Sequence, residues 1–565
     1  MNKSVPSLFF YYLKGNFMYT QTLKILIVLF SFAAVSAAEL NSELDPELPQ
    51  ADAARVEAHI RFLSDDILGG RDTGTANYEI AARYVASEFA QIGVLPGGDA
   101  GEYFQNIYFR QAYRNLDDVS MVVHTANGDE VFEFREEFFA RAPMARTEES
   151  VTAPLVFVGY GIESDWLNHH DYAGLDVSGK VVVVLGGRPR SFPSEEGAHF
   201  ASGAQKRKEA VSRGAVGMMF LQTPESQRVS PFARSVDNLH QPTVGIMNRD
   251  GSLAGAPSSL SGVASLNLEA SARLFELAEQ SIDDVFTLIE GGEIPLGFEF
   301  PISVTLSSKS RHETITSPNI IGIIEGSDLA LRNEYVTFTA HLDHVAPANG
   351  DGEDLINNGA LDNAAGVAAL LENARLLMAL PERPRRSIMF VIVTAEEKGL
   401  LGSQYFAENP TVPIENIVAN VNLDMPLILY PFNDVIAFGA QHSSLKSSTA
   451  KALQTLGLTL LDDPMPEQAI FVRSDHYRFV QQGVPSVMLA TGYGSDDPDL
   501  DGEQIWNDFF ANHYHQVSDS VELPINYEAG ARFAQVNFMI GLEIANAEQR
   551  PSWNEGDFFG NEFSQ

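Results

Sequence analysis

The sequence predicts an α/β protein with a mostly parallel central sheet and a β-rich segment inserted ahead of it. From about residue 303 onward, apolar strand-like runs alternate with helical patterns, as in a parallel sheet with helices on its faces. Before that point, APLVFVGYGI (153–162) and GKVVVVLGG (179–187) are β-rich runs of a different character. With 565 residues and 45% hydrophobic content, the chain can form two or three domains with separate cores.

The first residues contain a short apolar segment. Lys24 precedes an apolar run at 25–35, and small residues follow at 36–38. This run has the length of a signal-peptide core and is too short to span a bilayer comfortably. The sequence therefore predicts a signal peptide at 1–38 and a mature protein exported to the periplasm or the medium, without stable membrane insertion. A retained N-terminal anchor is the alternative.

The composition restricts both the partners and the metal ligands. Acidic residues outnumber basic ones by 75 to 37, which gives a net charge of −38. Such a chain would repel the phosphate backbone, so a nucleic-acid partner is not expected. The chain has no cysteine, which excludes disulfides, iron–sulfur clusters and thiolate zinc sites. Any metal must be bound by His, Asp or Glu.

In the C-terminal half, each strong strand candidate ends in a potential metal ligand. EYVTFTAHLDHV ends near His341 and Asp343, RRSIMFVIVTAEE ends at Glu396 and Glu397, and IVANVNLDMP ends near Asp424. Open α/β sheets bind ligands beyond the carboxyl ends of their strands. We therefore expect these side chains to meet at one edge of the sheet.

Two further candidates lie outside the strands. Asp362 directly precedes an apolar-periodic helix over about 364–380, and the loop HYHQVSD supplies His513 and His515. Taken singly, an Asp before a helix is usually an N-cap, and a single histidine is more often structural than a ligand. The occurrence of all these residues together, at the correct ends of strands, favours a metal site.

At this point the motifs resemble a known family. The segments AHLDHV, NNGALDNAAG, TAEEKGLLGS, NLDM, SDHYRFVQQGVPSVML and HYH are similar to those of the two-zinc aminopeptidases, which include bacterial leucyl aminopeptidases and the glutamate carboxypeptidases. The resemblance covers roughly residues 55–545 and implies a three-layer zinc-exopeptidase fold. The stretch VFVGYGI…DYAGLDVSGKVVVVLGG also resembles the protease-associated domain that this family often carries as an insert.

The resemblance also implies a domain order. The expected segments are the signal peptide at 1–38, the N-terminal part of the peptidase domain at 39–150, the protease-associated insert at 151–298, the catalytic domain at 299–548 and a tail at 549–565. The tail sequence, PSWNEGDFFGNEFSQ, predicts a poorly ordered segment.

The resemblance implies that two zinc ions per chain are held by five side chains: His341, Asp362, Glu397, Asp424 and His515. Asp362 would bridge the two ions, and its peptide bond to Asn363 would be cis. His341 and Asp424 would complete one site, and Glu397 and His515 would complete the other. Imidazole and carboxylate ligands with open positions suit catalytic zinc.

The remaining roles are also implied by the resemblance. Glu396 would be the general base that takes a proton from the attacking water, and Asp343 would orient His341. Asp475, in the SDH motif, would be a partner of His515.

Other histidines near these motifs need separate interpretations. His344 and His476 are expected to be structural. His513 competes with His515 for the ligand position. His515 is preferred because the final histidine of the family is followed four residues later by Asp, as Asp519 is here.

The expected function is that of a secreted two-zinc aminopeptidase acting on the N-terminal residues of peptides. A carboxypeptidase of the glutamate type shares the metal set but needs an arginine-rich subsite, and only Arg473 lies beside the SDH motif. A glutaminyl cyclase-like enzyme has the same fold with one zinc, whereas a receptor-like binding protein would not need Glu396. Four aromatic side chains are candidates for an apolar substrate pocket: Phe432, Tyr493, Trp506 and Phe510.

Overall fold

The computed structural model describes residues 48–255, 260–348, 352 and 354–564. The predicted signal peptide, 1–38, lies outside these residues. Within the described residues, every helix is too short or too polar to cross a membrane.

The N-terminal part contains two helices followed by antiparallel strands. In chain order these elements are α1 (Ala53–Leu63), α2 (Ala76–Ile92), β1 (Leu95–Pro96), β2 (Phe104–Arg114), β3 (Ser120–Thr125), β4 (Gly128–Phe132), β5 (Phe138–Ala140) and β6 (Glu148–Phe157). α1 begins after Asp52 and α2 after Thr75, and each of these side chains accepts a hydrogen bond from a main-chain amide of the first turn. α2 ends at Gly93, whose φ of +89° costs glycine little.

The next segment is the predicted insert, which is mixed rather than β-rich as expected, since six helices accompany its six short strands in the part that the structure describes. It consists of β7 (Glu163–Ser164), β8 (His169–His170), β9 (Val181–Leu185), α3 (Ser194–Ala201), α4 (Gly203–Ser212), β10 (Gly217–Leu221), α5 (Pro224–Val229), α6 (Phe232–Asp237), β11 (Thr243–Ile246), β12 (Val263–Leu266), α7 (Leu268–Leu277) and α8 (Ile282–Glu290). β9 pairs in parallel with both β6 and β10, and alternate valines of β9 face two different cores. The assignment of 151–298 to the protease-associated family remains a prediction.

The C-terminal part alternates strands and helices. It consists of β13 (Phe298–Ile324), β14 (Tyr335–His341), α9 (Ala365–Ala379), β15 (Ser387–Val393), α10 (Leu401–Glu408), β16 (Ile417–Leu423), β17 (Asp434–Phe438), α11 (Leu445–Thr455), β18 (Thr459–Leu461), α12 (His476–Val480), β19 (Ser486–Thr491), α13 (Gly502–Asn512), α14 (Tyr527–Asn546) and α15 (Phe558–Phe563).

The large sheet has the strand order β2–β13–β15–β14–β16–β19–β17–β18. Its four central strands, β15, β14, β16 and β19, are parallel to one another, whereas β13 and β17 run antiparallel to their central neighbours. The predicted α/β class with a mostly parallel central sheet is therefore confirmed. β13 also continues the sheet of the insert, because its first half pairs with β3 and β6.

Helices cover both faces of the large sheet, which gives the three layers expected. On one face, Ile388, Phe390 and Ile392 pack into a core shared with α1, α2, α9 and α14. The alternate side chains of β15 point to the other face, where Val391 packs with Phe406 of α10 and other apolar side chains. All seven residues of β15 are buried, as expected for a strand covered on both sides.

The C-terminal tail is ordered, so the prediction of a poorly ordered segment is wrong. Phe558 and Phe559 of α15 are buried in an aromatic cluster with Phe471. The indole of Trp553 donates a hydrogen bond to the Gly483 carbonyl at 2.8 Å. These aromatic side chains bury enough apolar surface to hold a segment whose polar composition suggested otherwise.

A buried charge cluster joins three parts of the chain, and we call Glu195, His442 and Asp557 the His442 cluster. Glu195 belongs to helix α3 of the insert, His442 follows β17, and Asp557 precedes α15. The His442 ring contacts Glu195 through Nε2 and Asp557 through Nδ1, the latter at 2.6 Å. Burial would lower the pKa of His442, but its hydrogen bonds to Asp557 and Glu195 raise it to about 10.

We expect His442→Gln to destabilise the protein in a pH-dependent way. Because the folded pKa of His442 lies above its unfolded value, the stabilisation is fully present below about pH 6.5 and is lost as pH rises towards 10. The difference in unfolding free energy between wild type and variant should be about 3–5 kcal/mol near pH 6.5 and should shrink at higher pH.

Urea unfolding of wild type and His442→Gln at pH 6.5, 8 and 10 measures this difference. His170→Gln is the matched control, since His170 forms a partly exposed pair with Glu163 and its loss should cost under about 1 kcal/mol. A difference that does not change with pH would contradict the charged state assigned to His442.

Candidate metal centre

The carboxyl ends of three neighbouring parallel strands supply most of the predicted site. β14 ends at His341, β15 is followed by Glu396 and Glu397, and β16 is followed by Asp424. β14 lies between β15 and β16, so these side chains reach the same edge of the sheet, as the sequence predicts.

The first group of candidate ligands contains His341, Asp362 and Asp424. His341 Nε2 lies 3.0 Å from Asp424 Oδ1 and 3.2 Å from Asp362 Oδ1. All three side chains are buried, and their ligand atoms are close enough together to hold one metal ion.

The second group of candidate ligands contains His515 and Glu397, and it meets Asp362 at the other carboxylate oxygen. His515 Nε2 is 3.2 Å from Asp362 Oδ2 and 3.2 Å from Glu397 Oε2. Asp362 therefore turns one oxygen to each group, which is the arrangement of a carboxylate that bridges two cations through both of its oxygens. The five side chains predicted as ligands come together in two groups joined by Asp362.

The donor set and its spacing fit zinc. Four ligand atoms arranged tetrahedrally about 2 Å from one zinc ion lie roughly 3.3 Å from one another, which is close to the separations of 3.0–3.2 Å within these groups. The buried carboxylates also need positive charge. Burial lowers the pKa of His515, but Glu397 and Asp362 raise it to about 10, which shows how negative the field at this position is.

His344 lies closer to the centre than its interpretation as a structural residue anticipates. Its Nδ1 is 2.9 Å from Glu397 Oε1 and 3.9 Å from Asp362 Oδ2, and these three residues could also hold a metal ion. The signal for it was the second histidine of the motif AHLDH. His513 instead contacts the Ser518 hydroxyl at 2.9 Å, which agrees with the choice of His515.

The loops that carry the ligands have unusual backbone conformations. Ala395, Met425 and His515 all have positive φ, between +49° and +58°, although none is glycine. Such conformations are uncommon and concentrate at functional sites. They turn the chain sharply after β15 and β16 so that the following side chains face the centre. The peptide bond between Asp362 and Asn363 is cis, as predicted.

Two residues that the sequence analysis did not assign to the site hold the loop around Asp362. The Asp519 carboxylate accepts hydrogen bonds from the main-chain amides of Leu361 and Asp362, at 2.9 and 3.0 Å. The buried guanidinium of Arg71 donates to the carbonyls of Asn358 and Gly359, at 2.7 and 3.1 Å. The sequence signal for Arg71 was only its position directly after Gly69 and Gly70.

Asp424 is positioned by a serine from the SDH motif. The Ser474 hydroxyl donates to Asp424 Oδ2 and accepts from the Asn422 side-chain amide. The next residue, Asp475, is buried near His341 and Asp424, and burial raises its pKa to about 7. The prediction that Asp475 supports His515 is therefore wrong, because α12 places it beneath the first group of ligands.

Asp343 supports the site in a way that differs from the prediction. His341 Nδ1 contacts the main-chain carbonyl of Asp343, at 2.9 Å, rather than its carboxylate. The buried carboxylate accepts hydrogen bonds from the Glu396 amide, at 3.1 Å, and the Thr73 hydroxyl, at 3.0 Å. Asp343 therefore positions the loop that carries Glu396, and it does not line the cavity.

Glu396 lines the cavity beside His341 and Asp362. Burial raises the pKa of Glu396 well above its ordinary value; the His341 imidazole opposes this shift, and the Glu397 carboxylate adds to it. A nearby cation would favour the charged form and lower this pKa. The side chain is thus placed to accept a proton next to the ligand groups.

The cavity at the centre has an apolar wall. Its volume is about 50 Å³ when measured as the space open to a water-sized sphere. Besides the polar groups already described, its lining includes Met425, Phe438, Ile470, Met488, Trp506, Phe510 and Tyr514. Trp506 and Phe510 were predicted as pocket residues, and the structure places them there. Phe432 is wholly buried in the core and Tyr493 packs beside Trp506, so neither forms this wall.

Comparison with known proteins agrees with this geometry. Residues 319–540 match the family model described as Peptidase family M28. The chain is 37% identical over 139 residues to the aminopeptidase NAALADL1 of Mus musculus, which covers 24% of this chain and 16% of that protein. It is 24% identical over 379 residues to the aminopeptidase YwaD of Bacillus subtilis, which covers 66% of this chain and 63% of that protein.

A solved structure supports the fold. The aminopeptidase from Aneurinibacillus sp. strain AM-1 superposes with a TM-score of 0.50 at 21% identity, over 89% of this chain and 95% of that chain. The chain spans less than two thirds of the length of the two curated relatives.

Proposed function

We propose that this chain, whose residues 319–540 match peptidase family M28, is a zinc-dependent aminopeptidase that removes N-terminal residues from peptides. The observation that carries the proposal is the pair of ligand groups that share Asp362, with Glu396 facing the same cavity. The names of the matched relatives, both aminopeptidases, support the choice of reaction.

Each chain would bind two zinc ions. His341 and Asp424 would hold one, Glu397 and His515 would hold the other, and Asp362 would contact both. When bound, zinc supplies Lewis-acid chemistry, which polarises a carbonyl and makes water a better nucleophile at neutral pH. The two oxygens of Asp362, each 3.2 Å from a different histidine, support two ions rather than one.

Glu396 would act as the general base. Its carboxylate would take a proton from the water that attacks the scissile carbonyl and would then deliver a proton to the leaving amine. The hydrogen bond from the Glu396 amide to Asp343 fixes the main chain of this residue. Tyr514 lines the same cavity, and burial raises the pKa of its hydroxyl, which therefore stays protonated and would donate to the developing oxyanion.

The apolar wall would receive the side chain of the N-terminal residue. Trp506 and Phe510 pack with their ring centroids 5.7 Å apart, and Phe438 and Met488 are almost wholly buried beside them. A large apolar side chain would displace water from this wall, so substrates with an N-terminal leucine, methionine or phenylalanine should be preferred.

We expect Phe510→Ala to weaken this preference. Removing the ring widens the pocket, so kcat/KM for leucyl-p-nitroanilide should fall about tenfold relative to alanyl-p-nitroanilide. Steady-state kinetics on both substrates measure the ratio. Phe62→Ala, which removes a partly exposed ring of α1, is the control and should leave the ratio unchanged. An unchanged ratio in Phe510→Ala would contradict this placement of the substrate side chain.

The test of the reaction compares free and blocked substrates. Leucyl-p-nitroanilide should be hydrolysed, N-acetyl-leucyl-p-nitroanilide should not, and a chelator should abolish the activity until zinc is returned. Cleavage of N-blocked peptides confined to a C-terminal glutamate would move the protein to the carboxypeptidase branch. Failure to hydrolyse either class with zinc present would support the receptor-like alternative.

Export is part of the same proposal and is supported by the apolar run at 25–35. The protein recovered from the periplasm or the medium should begin at about residue 38 or 39, as N-terminal sequencing would reveal. Recovery in the membrane fraction with residues 1–38 retained would contradict cleavage.

A further inference from the structure

An arginine lies at the cavity without an acidic partner. Arg473 lines the same cavity as His341, Asp362 and Glu396. Its guanidinium donates to the Gln468 carbonyl at 3.1 Å and contacts the Tyr514 hydroxyl at 3.5 Å, and it forms no ion pair with any carboxylate that the structure describes. In a chain with 75 acidic and 37 basic residues, a positive charge at the cavity that no described carboxylate pairs with is available to bind an anionic group.

A second arginine, from the insert, contacts the same tyrosine as Arg473. Arg234 of α6 donates to the Tyr514 carbonyl at 2.9 Å, and its guanidinium lies 5.4 Å from the centre of the Tyr514 ring. Among the described residues, it too has no carboxylate partner. The two guanidinium groups therefore contact one tyrosine, which is the residue before the candidate ligand His515.

The exposed fractions of the lining residues indicate how a substrate would lie in the cavity. Trp506, Phe438 and Met488 are between 1% and 4% exposed, whereas Arg473 is exposed to solvent. A closed apolar wall suits the side chain of the N-terminal residue, and the rest of the peptide must leave through the open side. Arg473 stands on that open side, where the residues after the scissile bond would lie.

We propose that Arg473 binds a carboxylate on the leaving part of the substrate, and that the enzyme therefore favours very short peptides. This inference rests on the proposed aminopeptidase function. In a dipeptide the carboxylate is the C-terminal one; in a longer peptide it could only be an acidic side chain of the second residue. A guanidinium fork binds a carboxylate through two parallel hydrogen bonds.

The geometry also allows a different role, in which Arg473 only positions the Tyr514 hydroxyl. Loss of such a positioning residue would slow all substrates alike. Loss of a carboxylate-binding residue would slow only substrates that carry the carboxylate. A ratio of two substrates on the same enzyme separates these roles, because a general loss of activity cancels in it.

The experiment measures kcat/KM for Leu-Gly, Leu-Gly-NH₂, Leu-Glu-NH₂ and leucyl-p-nitroanilide, in wild type, Arg473→Gln, Arg473→Lys and Arg234→Gln. In wild type, Leu-Gly should exceed Leu-Gly-NH₂ by about tenfold or more. Arg473→Gln should bring this ratio close to one, Arg473→Lys should keep part of it, and Arg234→Gln should reduce it less. The Leu-Glu-NH₂ arm distinguishes a side-chain carboxylate from the C-terminal one.

Arg190→Gln is the matched control, since Arg190 is an exposed arginine of the insert that pairs with Glu225; its ratio should equal that of wild type. If Arg473→Gln does not fold, the Leu-Gly to Leu-Gly-NH₂ ratio of the wild type is measured at increasing salt concentration. Salt screens the charge of Arg473, so the ratio should fall. Hydrolysis of leucyl-p-nitroanilide with a Leu-Gly to Leu-Gly-NH₂ ratio near one in wild type would overturn this inference and leave the aminopeptidase function intact. A ratio that stays high in Arg473→Gln would also overturn it.

Discussion

Replacing Glu396 by Gln is expected to leave the zinc content unchanged and to lower kcat by about 10²–10⁴-fold. Glutamine has nearly the same shape as glutamate but cannot accept a proton, so the change removes proton transfer and little else. Glu396 faces the cavity, whereas the neighbouring Glu397 contacts His515 and His344. The substitution should therefore leave both ligand groups in place.

Zinc analysis and steady-state kinetics on the same preparation of Glu396→Gln provide the two measurements. Glu415→Gln, at an exposed position before β16 and so at the opposite end of this strand from Asp424, is the control and should retain full activity and zinc. Near-normal turnover in Glu396→Gln would show that another group acts as the base. Loss of zinc in this variant would instead indicate that Glu396 is a ligand.

The second large effect is expected for Asp362→Ala. Within the described residues, Asp362 is the only side chain that contacts the histidines of both ligand groups. One of its oxygens lies 3.2 Å from His341 Nε2 and the other lies 3.2 Å from His515 Nε2. Its removal should empty at least one zinc site and lower kcat/KM by more than about 10²-fold. Metal analysis of the purified variant, after dialysis against metal-free buffer, measures the loss.

A variant at a solvent-exposed aspartate controls for the loss of one negative charge. Asp462 is suitable, because its side chain is 95% exposed and lies 3.7 Å from Lys446; Asp462→Ala should keep two zinc ions and full activity. Two zinc ions per chain retained in Asp362→Ala would exclude the shared role of this carboxylate.

The sequence predicts the position of the site well because strand ends are easy to recognise. β14, β15 and β16 are apolar runs that stop abruptly at charged residues, and parallel neighbours must place those ends at one edge. Asp362 and His515 lie on loops, and here the resemblance of their motifs to a family supplied what periodicity could not. The structure brings all five predicted ligands together.

The supporting contacts were harder to predict, because they depend on loop conformation. The turn after β14 brings His344 to Glu397. The same turn presents the Asp343 carbonyl, rather than its carboxylate, to His341 and leaves the carboxylate to accept from the Glu396 amide. Arg71 and Asp519 reach the Asp362 loop from distant parts of the chain. No local pattern in a single sequence records such long-range hydrogen bonds.

The tail illustrates a different limit. Its polar and glycine residues suggested disorder, but its aromatic side chains pack against Phe471 and against apolar residues of the insert. Composition averages over a segment, whereas burial depends on where particular side chains meet a partner surface.

Activity as a function of zinc added to the metal-free protein tests the central claim most directly. We expect hydrolysis of leucyl-p-nitroanilide to be absent without metal, to rise with added zinc and to level off at two zinc ions per chain, with N-acetyl-leucyl-p-nitroanilide uncleaved throughout. Full activity at one zinc ion per chain would contradict the shared role of Asp362, and activity that does not depend on zinc would contradict the account of the site as a whole.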